Sequence, residues 1–211
     1  MAREKEHNYK VAFQLAVFTI VYNLIEGLVS VYFGYEDESL SLFGFGIDSF
    51  IEMVSGLGIA HMVIRIRKNL ETNRDSFEKR ALKITGWGFY VLVAGLLISG
   101  AYNLYIGHKP ETTLLGVIIS IISIAVMWAL IYGKTKTGKA LNSEAIIADA
   151  ECAKVCIYMS VILLISSVVY ELTKLAYIDS IGALGLAYFS YKEGRECFEK
   201  ANSNKHCSCE S

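Results

Sequence analysis

Residues 84–106 read ITGWGFYVLVAGLLISGAYNLYI, 23 residues without an aspartate, glutamate, lysine or arginine. Residues 112–133, TTLLGVIISIISIAVMWALIYG, run for 22 under the same rule. At about 1.5 Å per residue, a helix of about 20 residues spans a hydrocarbon core roughly 30 Å thick. Each run therefore predicts a membrane-crossing helix. Four more stretches have the right length and carry a few ionisable groups: Val11–Gly34, Leu40–Ile64, Ala145–Tyr170 and Leu175–Tyr191. The expected fold class is all-α, a polytopic membrane protein with six transmembrane helices. No strand-like alternation survives over such lengths.

Composition agrees. Of 211 residues, 54% are apolar or aromatic and only 19% are charged, with one proline. The mean hydropathy is +0.41. A soluble domain needs more surface charge. Disorder, collagen-like repeats and a small disulfide-stapled scaffold are excluded by the same numbers. The net charge of −1 argues against a nucleic-acid partner.

The basic residues are unevenly placed. Seventeen of the 20 lysines and arginines precede helix 1, follow helix 6 or lie in the 2–3 and 4–5 connections. Only Lys109 and Lys174 fall on the opposite side, and Lys154 lies within helix 5. The positive-inside rule makes the basic side cytoplasmic, with both termini there. A cell membrane, plasma or inner, is the expected location. The first apolar run is too long for a signal peptide, and no small-residue cleavage site follows it. The expected organisation is a cytoplasmic N-terminal tail over 1–10, a six-helix domain over 11–192, and a short cytoplasmic tail over 193–211. The Glu36–Asp37–Glu38 turn faces out, as a solvated loop. Gly86, Gly88, Gly95 and Gly100 on helix 3 allow close helix packing.

Ionisable residues inside a membrane are costly, so each is a functional candidate by default. Helices 3 and 4 have none. Helix 1 has Glu26, with Asn23 near it. Helix 2 has Asp48 and Glu52. Helix 5 has Asp149, Glu151 and Lys154, together with Cys152 and Cys156. Helix 6 has Asp179, read as a structural hydrogen-bonding group. His61 is read as interfacial.

Asp48 and Glu52 are separated by four residues, so they lie one turn apart on one helix face. Cys152 and Cys156 repeat that spacing. Two nearby carboxylates repel unless a cation or proton sits between them. Two thiols and two carboxylates supply four ligands, the number a tetrahedral site needs. Counted from opposite sides at 1.5 Å per residue, Asp48 and Cys156 lie at about one depth, and Glu52 and Cys152 at another. Antiparallel helices 2 and 5 would then share one site near the midplane. Asp149, three residues before Cys152, lies near the same face and is a secondary candidate for gathering cations at the inner mouth.

Three stretches carry a resemblance. Ser39–Gly56, SLSLFGFGIDSFIEMVSG, resembles the second helix of cation diffusion facilitators. Asn142–Cys156, NSEAIIADAECAKVC, looks like their fifth, and Tyr177–Gly194, YIDSIGALGLAYFSYKEG, is similar to their sixth, with the typical aspartate at Asp179. The resemblance covers nearly all six helices. It implies a divalent-metal efflux carrier, usually for zinc, working as a homodimer and often by proton exchange. It further implies that the metal is transported cargo, that no cofactor is required and that the chain is no enzyme. The long members add a cytoplasmic ferredoxin-like domain. About 20 residues follow helix 6 here, so the short branch without that domain is expected, with dimer contacts through the transmembrane helices.

One departure changes the expected chemistry. The family's helix 5 commonly offers histidine then aspartate, where this chain has Cys152 and Cys156. Two thiolates soften the site, favouring Zn(II), Cd(II) or Cu(I) over Mg(II) and Ca(II). Thiols must lose protons to bind metal, so binding releases protons. The tail holds His206, Cys207 and Cys209, a secondary soft cluster without the second half of a structural zinc site. Cys197 has no obvious partner in the sequence. Two other classes stay open: a membrane metal sensor that binds without transport, and a membrane thiol oxidoreductase using Cys152 and Cys156. Redox pairs more often use a CxxC spacing, and the paired carboxylates would then be unexplained. No phosphate-binding P-loop is present.

Overall fold

The computed structural model describes residues 2–68, 76–175 and 177–202. Six helices make up the fold: α1 (Ala2–Glu36), α2 (Leu40–Arg67), α3 (Ser76–Ile106), α4 (Leu114–Leu141), α5 (Glu144–Thr173) and α6 (Tyr177–Asn202). Five carry a segment long and apolar enough to cross a membrane: Glu6–Glu36, Leu40–Arg65, Lys79–Ile106, Leu114–Leu141 and Ala153–Thr173. The sixth is less apolar. It buries a stripe of small residues, including Ser180, Gly182, Ala183, Ala187, Ser190 and Gly194. The chain is an all-α, multi-pass membrane protein.

The exterior is a belt of apolar side chains. Phe18, Leu28, Val91, Ile98, Ile121, Ile165 and Leu172 all point outward. Such a surface is stable only against lipid. Exposed aromatics collect towards both ends, among them Trp87, Trp128 and Tyr132 at the basic end and Tyr35, Tyr102 and Tyr105 at the other. These are the positions of interfacial anchors.

Neighbouring helices run antiparallel. The closest pairs are α1 with α2, α4 with α5 and α3 with α6. Contacts of α1 with α4 and of α2 with α5 join the first two pairs into a four-helix group. The α3–α6 pair leans on it through α2 and α5. Helices 2 and 5 are therefore central, and side chains on their facing surfaces are shielded from lipid.

Small residues set the helix spacing. A Cβ at Gly34 would lie 2.4 Å from the backbone nitrogen of Phe43, and one at Gly46 would lie 2.6 Å from that of Val31. Backbone contact of α1 with α2 thus requires glycine at both places. On α3, Gly86 abuts Cys197 and Phe198 of α6, Gly88 abuts Ile51, and Gly95 faces open space. The close packing expected on helix 3 is thus largely within the chain.

Polar caps fix the helix ends. Asp179 at the start of α6 accepts from the Ser39 hydroxyl at 2.8 Å, the Leu40 N–H at 2.7 Å, the Ser41 N–H and the Ser41 hydroxyl. It ties two unpaired N–H groups of α2 to α6, which matches the structural reading of this aspartate. Glu171 of α5 caps α4 in the same way, accepting from Thr112 and Thr113. At the basic end, Asn142 closes α4 in the left-handed conformation at φ 49°. Ser143 then caps α5 by accepting from Ile146 N–H.

Four helices run well beyond their sequence-read ends. Helix α1 begins at Ala2, so residues 2–10, expected as a tail, are helical, and α3 begins at Ser76, eight residues before Ile84. Helix α4 continues past Gly133 to Leu141, so Lys134 is helical and buried, not a loop residue. Helix α6 continues past Tyr191 to Asn202, so 193–202 is helix. A charged residue ends an apolar run without ending a helix, because a lysine or glutamate with a partner can stay inside the bundle.

Candidate metal centre

Asp48 and Glu52 project from the middle of α2. Asp48 is 3% exposed, and its Oδ1 has no hydrogen-bond partner. Glu52 has partners on both oxygens. The Cys156 Sγ–H of α5 donates to Oε1 at 2.6 Å, and Asn23 Nδ2 of α1 donates to Oε2 at 3.2 Å. Three helices therefore meet at one carboxylate. Of the four residues expected to form the site, a hydrogen bond joins Glu52 and Cys156, and Asp48 is buried one turn away on α2.

Pairing falls one turn from the expected level. Cys156 meets Glu52 and not Asp48, because α5 is 30 residues long, about 45 Å, and begins outside a core roughly 30 Å thick. Cys152 lies on α5, but its side chain is outside the described residues. Among the described residues, no three carboxylate, thiol or imidazole side chains converge closely enough to hold an ion. His206, Cys207 and Cys209 also lie outside the described residues.

Glu26, one turn from Asn23, is buried at the α1–α2 contact. It accepts from Tyr22 Oη at 2.7 Å and from Ser49 Oγ at 3.0 Å. Asp149 is held by Lys134 of α4 at 3.0 Å, with both side chains largely buried. Lys154 is exposed. His61 packs its ring against Phe77 at 4.7 Å, near the basic end of α2.

A cavity of about 100 Å³ leads to this cluster. Its walls include Asn23, Glu52 and Cys156 at the inner end, and Lys134, Asp149 and Lys200 nearer the basic end of the bundle. On the opposite side, Leu42, Phe45, Met159, Leu163 and Leu186 form a dense apolar core. Access is therefore from the basic end, and the other end is closed.

Sequence reading missed one acidic group in this space. Glu193 of α6 is buried and lines the cavity that reaches Glu52 and Cys156. The signal was present. Ser190, Glu193, Gly194, Cys197 and Ala201 fall at i, i+3, i+4, i+7 and i+11, the pattern of a buried helix face.

The family model described as the cation efflux transmembrane domain matches residues 13–203. The chain belongs to the cation efflux family, whose members are transporters. A comparison with curated proteins gave no match.

Proposed function

We propose that this member of the cation efflux family exports thiophilic divalent cations, Zn(II) or Cd(II), from the cytoplasm across the cell membrane. Asp48, Glu52, Cys152 and Cys156 hold the cargo. The observation that carries this reading is the Cys156 thiol on the Glu52 carboxylate at 2.6 Å, next to buried Asp48, at the head of a cavity open to the basic end. Two carboxylate charges about 6 Å apart repel by about 3 kcal/mol at an effective dielectric near 20. A divalent cation between them converts that repulsion into attraction.

The residues divide the work. Asn23 orients Glu52. The thiols supply softness, which selects against Mg(II) and Ca(II). Binding expels thiol protons into the cavity, and protons returning to the sulfurs help expel the metal. That chemistry supports proton exchange. The basic end is cytoplasmic by the positive-inside rule, so the state described here loads from inside. Homodimer formation through the transmembrane helices is part of the same reading.

The test compares the wild-type chain with Cys152→His, Cys156→Asp, both with Cys207→Ser and Cys209→Ser to remove the tail thiols. Purified proteins are titrated with Cd(II) and Zn(II) in competition, then reconstituted for flux. Cd(II) affinity is expected to fall at least tenfold more than Zn(II) affinity, because sulfur donors are exchanged for nitrogen and oxygen. An unchanged Cd/Zn preference overturns the soft-site reading. Binding without any flux would favour a sensor.

A further inference from the structure

Helix α6 repeats the spacing that marks the site on α2 and α5. Glu193 and Cys197 are four residues apart and share one face. Both are buried, and both line the cavity that ends at Glu52 and Cys156. Thr85 of α3 lines it as well. The Thr85 hydroxyl is buried without a hydrogen-bond partner, and the residue is 2% exposed. Leaving a buried hydroxyl unpaired in that way is costly unless something in the cavity satisfies it. Gly86, the next residue, lies against Cys197, which sets this turn of α3 beside this turn of α6.

We propose that Glu193, Cys197 and Thr85 form a second metal site, where a thiophilic divalent cation pauses between the basic end and the site on α2 and α5. The donors are a carboxylate, a thiolate and a hydroxyl, with water completing the shell. A cavity of about 100 Å³ has room for several waters. Binding takes the Cys197 proton into cavity water and makes one metal–sulfur bond, with no change of oxidation state. The two ammonium groups on the cavity wall are engaged by acids. Lys134 lies 3.0 Å from Asp149, and Lys200 lies 3.0 Å from Glu196. Glu193 lines the same cavity as Glu52, so a cation at Glu193 stands one step from the deeper carboxylates. With one thiolate and one carboxylate, this site is the weaker of the two.

The inference rests on the transport reading for its purpose, but its test is separate. The full chain carries His206→Ala, Cys207→Ser and Cys209→Ser to silence the tail. Cd(II) binding is measured by equilibrium dialysis and by ¹¹³Cd resonance. The parent is expected to bind a tight and a weak equivalent, with two resonances. Cys197→Ser and Glu193→Gln each lose the weak one and keep the tight one. Glu52→Gln with Cys156→Ser does the reverse. A folded Cys197→Ser variant that keeps both equivalents overturns the second site. If that variant does not fold, a single resonance in the parent overturns it, and two support it. Retention of both equivalents in Glu52→Gln with Cys156→Ser overturns the deeper site instead.

Discussion

At the scale of single residues, Asn23 decides how Glu52 is presented. Its side chain is 1% exposed, its amide N–H holds one Glu52 oxygen, and its Oδ1 has no hydrogen-bond partner. A carboxylate held on one oxygen offers the other in a fixed direction, which here is the direction of Cys156. Groups that orient a metal ligand typically contribute about 10–100-fold to affinity. Asn23→Ala is therefore expected to weaken Zn(II) or Cd(II) binding by about that factor, with thermal unfolding little changed. Titration of the purified variant measures it, and affinity within twofold of wild type would remove Asn23 from the site. Asn23 was legible only as a polar neighbour of Glu26, since a hydrogen bond between residues 23 and 52 has no local spacing to announce it. The pairs Asp48–Glu52 and Cys152–Cys156 were legible because four-residue spacing fixes a helix face.

Among the elements, α4 and α5 are joined by a buried ion pair. Apolar length made both helices readable, but Lys134 looked like the first residue of a loop. What keeps it inside is Asp149, fifteen positions later and on another helix, beyond the reach of any periodicity. The pair lines the cavity that reaches Glu52 and Cys156. Removing one partner leaves an uncompensated buried charge, which costs about 3–5 kcal/mol, whereas removing both is far milder. Lys134→Ala and Asp149→Ala are each expected to lower the unfolding temperature sharply, and the double variant to recover most of the loss. Thermal unfolding in detergent across the full cycle gives the coupling energy. Additive losses would mean that the two side chains do not stabilise one another. Helix α6 hides its length for a different reason. Its charged half, from Glu193 onward, reads as tail because its small buried residues lack the hydropathy that marks a membrane span.

For the whole molecule, the decisive feature is that one end of the bundle is open and the other is packed. Leu42, Phe45, Met159 and Leu163 are nearly inaccessible and lie between the candidate ligands and the end that bears Glu36, Asp37 and Glu38. The cavity reaches Cys156 from the end that carries most of the lysines and arginines. Protein interiors packed to crystal-like density do not admit a reagent the size of a methanethiosulfonate. A chain in which Cys156 is the only cysteine should therefore react with a membrane-impermeant thiol reagent added on the basic side, and much more slowly with one added on the other. Sided vesicles of known orientation make both additions possible. Because Cys156 is a proposed ligand, Cd(II) present beforehand should slow the basic-side reaction. With Glu52→Gln that protection should shrink, since the carboxylate facing the sulfur is lost. Equal labelling from both sides would mean that the apolar core opens freely. Labelling that Cd(II) leaves untouched would place Cys156 in the cavity wall but outside the metal's coordination shell.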